Sequence, residues 1–349
     1  MIYMTEKTYS YFLPSEQYAR LVFKRGNCED CKVTIIIPTY RRCHLLLQAL
    51  TSAESQVDCE PYSVIVVDND DSSDDHVLNL VKASRVENLQ YYRNQENLGQ
   101  IANWNMGIQL AKSEWIVLLH DDDRLMPNYL SAVMRTVNEN NQIDVLFTMP
   151  LTDDQRQNRE RKRSKIKRIL DLVRNFYKKG YTGAITQLQA ADYYYDCGYN
   201  APIAPLYRRS VLIDFGGFPP QWFPVSDWVF HTQLSMQHGL YVLSEFLCIR
   251  GVGVNDSLKL DARIGFVEKS NEFRKQLLEE YHFLLRNVWI QSALWYHAKI
   301  FYNLDVGQDL PKGLLNPKYN SAVYRCFYRA VVYIRSFFKK YYLQTEKYL

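Results

Sequence analysis

The sequence predicts an α/β protein built on a mostly parallel β-sheet with helices packed on both faces. Runs typical of buried strands alternate with helical segments four times within about 100 residues, which is the pattern of such a sheet. Three of these runs end in polar clusters, and parallel sheets bind ligands beyond the carboxyl ends of their strands. The chain has 349 residues, enough for one large domain with additions or for two domains.

Four runs have the composition of strands buried on both faces, because they are rich in aliphatic, β-branched and aromatic residues. They are VTIIIP (33–38), YSVIVVD (62–68), LQYYRN (89–94) and WIVLLH (115–120). TYRR follows the first run, NDDSSDD follows the second, and DDD follows the fourth. Since parallel strands present their carboxyl ends at one edge of a sheet, we expect these polar side chains to collect there.

Helical spacing fills the segments between these strands. LLLQALTSA (45–53) and HVLNLVKAS (76–84) follow the first two strands. Two later helices are predicted from apolar residues that recur at steps of three and four. These residues are Ile101, Trp104, Ile108 and Ala111 in one helix, and Leu130, Val133, Met134 and Val137 in the other, which Pro127 opens.

Bulk composition describes an ordinary globular protein, with 47% hydrophobic residues, 23% charged residues and a net charge of +4. Among seven cysteines, Cys28 and Cys31 form a CxxC pair without a second pair or nearby histidines to complete a zinc site. The first residues lack a signal-peptide layout, and no apolar run approaches the roughly 20 residues that span a bilayer. We therefore expect a cytoplasmic protein with reduced, structural thiols.

The consecutive carboxylates Asp121, Asp122 and Asp123 follow the fourth predicted strand directly. Adjacent carboxylates repel each other unless a cation is present, and oxygen-rich clusters suit Mg²⁺ or Mn²⁺. Such an ion can bridge an acidic edge to a nucleotide diphosphate. An acidic loop that caps a helix is the alternative interpretation. Neither a G-x-G-x-x-G loop nor a G-x-x-x-x-G-K-[ST] loop occurs, so a nucleotide would bind without those motifs.

Several motifs in the same order resemble the family 2 glycosyltransferases, which have the Rossmann-like GT-A fold. VTIIIPTYRR (33–42) resembles the opening strand of this family, and YSVIVVDNDDSSDD (62–75) resembles its second strand and acidic turn. The segment 94–127, with Asn97, Gly99, Asn105 and Gly107, resembles the central signature that leads to a DxD-type metal motif. The resemblance is strong over 33–135 and weaker to 257.

The resemblance implies roles for individual residues in binding a nucleotide-sugar donor. Pro38, Thr39 and Tyr40 would line the base pocket, and Asp68 with Asn69 would hold the base and ribose edge. The family often has aspartate where Asn69 stands. Asn97, Asp121 and Asp122 are also expected to bind the donor.

For the metal, the resemblance implies Asp121 and Asp123 as the DxD pair, with Asp122 as a further ligand to the metal or the ribose. The expected cofactor is Mn²⁺ or Mg²⁺. The family more often begins this motif with aspartate at the position of His120. Which of the three aspartates contact the metal is left open.

The catalytic base of the family follows a Gly-Gly-Phe-like segment, which here is Gly216 to Phe218. The resemblance therefore implies Asp227 as the base, with Ser226 in place of the usual glutamate. A helix N-cap is the alternative interpretation of this Ser-Asp pair. The segment 249–258 resembles the part that closes the donor site. A plain turn is the alternative to a diphosphate contact by Arg250, Asn255 or Ser257.

The resemblance implies a metal-dependent, inverting glycosyltransferase that moves a sugar from a nucleotide-diphosphate donor to a hydroxyl of a glycan or lipid-linked acceptor in cell-surface polysaccharide synthesis. One alternative is a sugar- or lipid-binding relative without catalysis. Another is a nucleotidyltransferase of sugar-nucleotide synthesis, although the Gly-rich loop expected after its first strand is absent. Nucleic-acid binding is not expected, because no reading module is recognised.

The predicted organisation has three parts. Residues 1–32 form an extension, 33–257 form the glycosyltransferase domain, and 258–349 form a helical region. Within the domain, 33–150 would bind the nucleotide sugar, 156–180 is a basic insert, and 180–257 would bind the acceptor.

The end of the chain is basic and aromatic. Residues 318–349 hold seven Lys or Arg, one Glu and ten Tyr or Phe. An apolar stripe at helical spacing comprises Val323, Phe327, Ala330, Ile334, Phe338 and Tyr341. This pattern suits an anionic membrane surface, and so favours a peripheral position at the inner face of the cell membrane. Packing on the core or on another subunit is the alternative. The segment 159–168, with seven Lys or Arg, would add to the membrane contact or bind a lipid diphosphate.

Overall fold

A computed structural model describes residues 10–72, 75–154, 183–189, 192–193, 203–253, 260–280, 286–303, 322–337 and 347–348. Within these ranges eleven strands form one sheet. The strands are β1 (Ala19–Arg25), β2 (Val33–Thr39), β3 (Tyr62–Asp68), β4 (Leu89–Asn94), β5 (Trp115–Leu118), β6 (Asp123–Leu125), β7 (Val145–Asp154), β8 (Ile185–Leu188), β9 (Leu206–Arg208), β10 (Leu240–Val252) and β11 (Lys347–Tyr348). The predicted basic insert at 156–180 lies outside the described residues.

The sheet has a parallel centre and antiparallel additions. Its order is β1-β4-β3-β2-β5-β9-β7-β10-β6, with β8 on β10 and β11 on β7. The four strands predicted from sequence are β2 to β5, and they pair in parallel with each other. Strands β1, β6, β8 and β9 join antiparallel, so the predicted parallel centre is part of a larger mixed sheet. These four strands lie in segments without the long apolar runs that mark the centre.

Ten α-helices occur in the described part of the chain, together with a 3₁₀ turn at Pro220–Trp222. They are α1 (Ser15–Tyr18), α2 (Cys43–Glu54), α3 (His76–Ala83), α4 (Gln100–Leu110), α5 (Tyr129–Glu139), α6 (Arg209–Asp214), α7 (Ser226–Leu234), α8 (Leu260–Glu280), α9 (Arg286–Asn303) and α10 (Ala322–Phe337). The four helices predicted between the strands correspond to α2 to α5.

Two apolar clusters cover the two faces of the central strands. Ile35 and Ile37 of β2 pack with α2 and α5 on one face, and Ile36 packs with α4 on the other. Neighbouring residues of a strand point to opposite faces. This alternation explains why all seven residues of β2 are buried. A sheet covered on both faces leaves its edges as the places where polar groups can meet a ligand.

Residues 10–32, the described part of the predicted N-terminal extension, pack on the main body. Strand β1 pairs antiparallel with β4 at the edge of the sheet. Before it, Tyr11 N donates a hydrogen bond of 2.8 Å to Gly216 O. The sequence of this segment has no clear two-residue period, which is why the strand was not predicted. The proposed domain boundaries stay a prediction.

Helices α8, α9 and α10 follow β10, in agreement with the helical C-terminal region that was predicted, and the two-residue strand β11 comes after them. Phe273 and Leu277 of α8 join the core cluster that contains α7. Trp289 of α9 stacks on Tyr328 of α10 with ring centroids 5.0 Å apart. No helix among the described residues combines the length and the apolar composition needed to cross a bilayer. Phe338 and Tyr341 of the predicted apolar stripe lie outside those residues.

Candidate functional site

Three parallel strands bring the predicted polar residues to one edge of the sheet. Thr39 at the end of β2 is in register with Asp68 at the end of β3. The loop after β5 carries His120 and the three aspartates to the same edge, because β5 pairs in parallel with β2. Thr39, Asp68, Asp121 and Asp123 are all buried. Buried carboxylates need hydrogen bonds or a cation, so their partners decide what this edge can do.

Asp121 is bound by protein groups on both carboxylate oxygens. Thr39 Oγ1 donates to its Oδ2 at 2.9 Å, and Arg42 Nη1 approaches its Oδ1 at 3.4 Å. Burial raises the pKa of Asp121 to about 6, although the charge of Arg42 opposes the shift. Asp121 is therefore tied to the loop after β2.

His120, Asp122 and Asp123 form a different group. One ligand atom from each of the three side chains lies within 4.8 Å of the others. Asp123 Oδ1 accepts a hydrogen bond of 3.2 Å from Gly251 N of β10. Burial and the neighbouring Asp122 raise the pKa of Asp123 well above its usual range. A cation bound between these carboxylates would favour their charged forms.

The close approach of β10 to this group requires a glycine. A Cβ atom on Gly251 would lie 2.2 Å from the backbone oxygen of Asp122. In the paired strands β10 and β6, Arg250 stands opposite Asp123. The charge of Arg250 opposes the rise in the pKa of Asp123. Of the residues predicted to contact a diphosphate, Arg250 is therefore at the acidic edge, while Asn255 and Ser257 lie outside the described residues.

The donor set of this group fits a divalent ion. Two ligands of one ion lie at most about 4.4 Å apart when each bond is about 2.2 Å long, so the observed spacing needs only a small contraction. Two carboxylates suit Mg²⁺ and Mn²⁺, and an imidazole nitrogen suits transition metals. Burial lowers the pKa of His120, which favours the neutral ring that a metal requires.

The contacts differ among the three aspartates of the motif, and which of them bind a metal stays a prediction. Asp122 and Asp123 are in the group that could hold an ion, whereas Asp121 is the residue bound by Thr39 and Arg42. His120 was not predicted as a ligand. The available signal was its position, since the family has aspartate there more often.

Asp68 and Asn69 lie in hydrogen-bond networks at the end of β3. Tyr91 donates to Asp68 Oδ2 at 2.8 Å, and the backbone N–H of Asp70 donates to Asp68 Oδ1 at 3.1 Å. Asn69 Oδ1 accepts from the side chain of Asn94 and from the backbone N–H of Leu98, each at 2.9 Å. Both residues are buried. Their side chains therefore fix the shape of this part of the edge.

Asn97 extends the Asn69 network into the next loop. Its Oδ1 accepts from Asn69 Nδ2 at 2.8 Å and from the backbone N–H of Gly99 at 2.9 Å. Gly99 has φ +80°, a conformation that favours glycine. The Asn-x-Gly pattern thus builds the turn that leads into α4.

Pro38 and Tyr40 differ in accessibility. Pro38 is buried within β2, whereas Tyr40 is exposed just beyond it. The guanidinium of Arg41 lies 5.1 Å from the centre of the Tyr40 ring and also bonds Asp70 at 3.1 Å. Tyr40 therefore presents an accessible aromatic face next to the acidic edge.

Asp227 lies in the first turn of α7, which begins at Ser226. Trp228 N donates to Asp227 Oδ1 at 2.8 Å. The N-cap position is Val225, and neither Ser226 nor Asp227 occupies it. Although part of its surface is accessible, burial raises the pKa of Asp227 to about 6. A carboxylate with a pKa near neutrality is suited to accept a proton.

The Gly-Gly-Phe segment before Asp227 docks on α4. Asn105 Oδ1 accepts from Phe218 N at 2.8 Å, and Asn105 Nδ2 donates to Phe218 O at 2.8 Å. Gly217 has φ +86°, and a Cβ there would lie 2.8 Å from Asn105 Oδ1. The glycine therefore permits this contact between the two predicted halves of the domain.

Comparison with known proteins agrees with this geometry. The family model "Glycosyl transferase family 2" matches residues 34–216, which is more than half of the chain. The chain belongs to glycosyl transferase family 2. The match begins within β2 and includes His120 and the three aspartates that follow it, so it confirms the family predicted from the motifs.

Relatives of this family 2 member share part of its length. A Campylobacter jejuni protein named GalNAc(5)-diNAcBac-PP-undecaprenol beta-1,3-glucosyltransferase is 38% identical over 112 residues, 31% of this chain and 35% of that protein. WcaA of Escherichia coli, whose name assigns it to colanic acid biosynthesis as a glycosyl transferase, is 32% identical over 102 residues, 29% and 36% of the two chains. The chain thus spans about a third of the length of these relatives.

A solved structure extends the likeness over most of the fold. Residues 1–349 of TarS from Staphylococcus aureus, in complex with UDP-GlcNAc, match with a TM-score of 0.55 at 18% identity. The match covers 77% of this chain and 73% of that one. This likeness concerns the fold, and it confirms the predicted GT-A architecture.

Proposed function

We propose that this family 2 member transfers a sugar from a nucleoside-diphosphate sugar to a hydroxyl group of a glycan or lipid-linked acceptor. The observation that carries the proposal is the convergence of His120, Asp122 and Asp123 at the carboxyl edge of parallel strands. This edge is where such sheets bind nucleotides. Membership of the family supplies the reaction class.

The donor lies along the ends of β2 and β3. Tyr40 offers its exposed ring to the base, and the Asp68 and Asn69 networks hold the wall beside the ribose. Asp122 and Asp123 would hold a divalent ion, Mn²⁺ or Mg²⁺. When bound, this ion neutralises charge on the diphosphate. Asp121 remains with Thr39 and Arg42, and it orients the loop rather than serving as the main ligand.

Asp227 acts as the general base in an inverting transfer. Its carboxylate takes the proton of the acceptor hydroxyl while the acceptor oxygen forms a bond to the anomeric carbon. The bond from that carbon to the diphosphate oxygen breaks on the opposite side, and the nucleoside diphosphate leaves. The raised pKa of Asp227 supports this role. The contact between Asn105 and Phe218 also supports this role. It joins the Gly-Gly-Phe segment, which precedes Asp227, to α4. Helix α4 in turn precedes β5 and the acidic loop.

A lipid-linked or polysaccharide acceptor is favoured by two relatives. The name of the C. jejuni protein describes an undecaprenol-linked acceptor, and that of WcaA refers to colanic acid biosynthesis. The basic and aromatic end of this chain is consistent with work at a cytoplasmic membrane surface. On α10, Tyr328 packs inward whereas Val323 is 73% exposed. Val323 would contact an anionic bilayer in this proposal.

A panel of nucleotide sugars tests the proposal. Binding of the correct donor raises the melting temperature of the full chain, because a ligand of the native state stabilises it. We expect one or a few UDP-, GDP- or dTDP-sugars to do so with Mn²⁺ present, and to be hydrolysed slowly without acceptor. If no nucleotide sugar stabilises the protein or is hydrolysed, the proposed function is wrong.

A further inference from the structure

The imidazole of His120 lies flat against the indole of Trp104. Their ring centroids are 4.6 Å apart and their planes differ by 22°. Trp104 is buried, and it meets the ring of Phe218 edge-on at 5.6 Å. The amide side chain of Asn105 makes two hydrogen bonds of 2.8 Å to the backbone of Phe218, one through Oδ1 and one through Nδ2. A series of packed rings thus fixes the plane of the His120 imidazole.

Neither nitrogen of the His120 ring makes a hydrogen bond to another described residue. Nε2 is buried and has no hydrogen-bond partner there. Nδ1 lies 3.9 Å from Asp123 Oδ2, which is too long for a hydrogen bond. Two ligand atoms bound to one ion can be that far apart, given bonds of about 2.2 Å. The spacing of Nδ1 and Asp123 therefore fits a shared ion better than a direct contact.

A nitrogen ligand changes the choice of metal. Mg²⁺ prefers oxygen ligands and dehydrates reluctantly, whereas imidazole is a ligand of transition-metal ions, among which Mn²⁺ also suits carboxylates. An aspartate at position 120 would give an all-oxygen set, as is more common in the family. With histidine there, the set contains one nitrogen and two carboxylates.

We propose that His120 is a metal ligand in this chain, that Trp104 is the residue that positions it, and that the resulting site prefers Mn²⁺ to Mg²⁺. The inference rests on the metal part of the proposed function, to which it adds the ligand and the selectivity. Trp104 acts through its stack on His120, since loss of the indole would leave the imidazole free to rotate away from Asp123.

Pulsed EPR of Mn²⁺ bound to the full chain tests this directly. MnCl₂ is added alone, and then with UDP or GDP, and the spin-echo modulation from a directly coordinated ¹⁴N nucleus is recorded. Wild-type protein is expected to show this modulation, and His120→Asp is expected to lose it while still binding Mn²⁺. His238→Gln is the matched control. That histidine also faces a carboxylate, with Nδ1 3.1 Å from Asp144 Oδ2, but it precedes β10, at the opposite end of the strands.

Competition between MgCl₂ and Mn²⁺ provides the second measurement. The ratio of Mn²⁺ to Mg²⁺ affinity is expected to fall about tenfold or more in His120→Asp, and Trp104→Leu is expected to weaken Mn²⁺ binding about tenfold. Trp104→Phe keeps an aromatic face and is expected to restore most of the binding. This rescue distinguishes positioning of the ligand from a general loss of packing.

The outcomes separate this inference from the proposed function. If Mn²⁺ binds to wild type without a coordinated nitrogen, or if His120→Asp leaves the affinity ratio unchanged, the inference is wrong and an all-oxygen site at Asp122 and Asp123 stands. If no divalent ion binds to wild type, both the inference and the metal part of the proposed function are wrong. Sugar transfer is measured independently of either result.

Discussion

Thr39 Oγ1 donates a hydrogen bond of 2.9 Å to Asp121 Oδ2, joining the end of β2 to the loop after β5. Both residues are buried. Arg42 Nη1 approaches the other oxygen of Asp121 at 3.4 Å and also lies 3.9 Å from Asp122 Oδ2. Asp121 therefore has protein partners on both carboxylate oxygens, whereas Asp122 and Asp123 lie with His120 in the group whose spacing suits a cation.

Thr39→Val is expected to destabilise the protein by about 1.5–3 kcal/mol at pH 7, because it removes a hydrogen bond to a buried charged group. Burial raises the pKa of Asp121 to about 6, so the carboxylate is charged at pH 7 and largely neutral at pH 5. The loss should therefore be smaller at pH 5. Urea unfolding at both pH values measures it.

Thr51→Val is the control for this substitution. The Thr51 hydroxyl donates to Leu47 O on an exposed part of α2, and its loss is expected to change stability by less than about 0.5 kcal/mol. Equal effects of the two substitutions, or a larger effect of Thr39→Val at pH 5, would contradict the structural role given to Asp121.

Asp227→Asn is expected to lower kcat by about 10²–10⁴-fold, the usual contribution of a general base, while donor binding survives. In wild type, kcat should rise with pH through about pH 6, because a base works when deprotonated and burial raises the pKa of Asp227 to about 6. Steady-state kinetics from pH 5 to 8 measure both effects. Near-normal turnover of Asp227→Asn would exclude Asp227 as the base.

Asp227→Asn, which is expected to lower kcat, is expected to raise the stability of the fold. A carboxyl whose folded-state pKa is raised from 3.8 to about 6 destabilises the fold progressively as pH rises from about 4 to about 6, and the penalty is constant above that. Asn carries no such penalty. We therefore expect Asp227→Asn to have a higher melting temperature than wild type at pH 7 and a similar one at pH 4. A lower melting temperature of Asp227→Asn than of wild type at pH 7 would contradict the raised pKa of Asp227.

Gly251→Ala is expected to weaken Mn²⁺ binding about tenfold or more, because the new methyl group would force Asp122 away from its position. Overpacking should also destabilise the fold by about 1–3 kcal/mol. Gly265→Ala is the matched control, since its Cβ would press on Pro224 at 2.7 Å and not on the acidic edge. If both variants lose Mn²⁺ affinity equally, the effect is general overpacking and not displacement of Asp122.

Val323→Asp is expected to reduce flotation of the full chain with vesicles that contain anionic lipid. The side chain is 73% exposed on α10, so the substitution removes an apolar contact with lipid without disturbing packing. Val57→Asp, which alters an exposed valine after α2, is the control. If wild type floats equally well with neutral and anionic vesicles, or does not float, the membrane proposal is wrong.

The centre of the fold was predictable because its strands are buried on both faces and therefore read as continuous apolar runs. YSVIVVD and LQYYRN coincide with β3 and β4 as observed. Strands β6 and β9 have three residues each, and their pairing depends on β10 and β7, which are distant in sequence. Composition within such short segments cannot indicate these partners.

The candidate site was predictable as a location but not in its contacts. The motif placed all three aspartates at the edge of the sheet, yet it could not show that Asp121 bonds Thr39 while Asp122 faces His120. That division depends on how the loop turns after β5. The stack of Trp104 on His120 joins residues on different elements, so no spacing rule reveals it.

The central claim is that Asp122 and Asp123 are needed for sugar transfer. The most direct test is to measure sugar transfer by a variant in which both residues are replaced. Mass spectrometry would follow release of nucleoside diphosphate from the donor identified in the panel, with Mn²⁺ present, for wild type and for Asp122→Asn with Asp123→Asn. The matched control is Asp58→Asn with Asp214→Asn, two exposed aspartates away from the site. We predict that the acidic-edge variant loses release at least about 100-fold while the control retains it. Equal release by all three proteins would contradict the account.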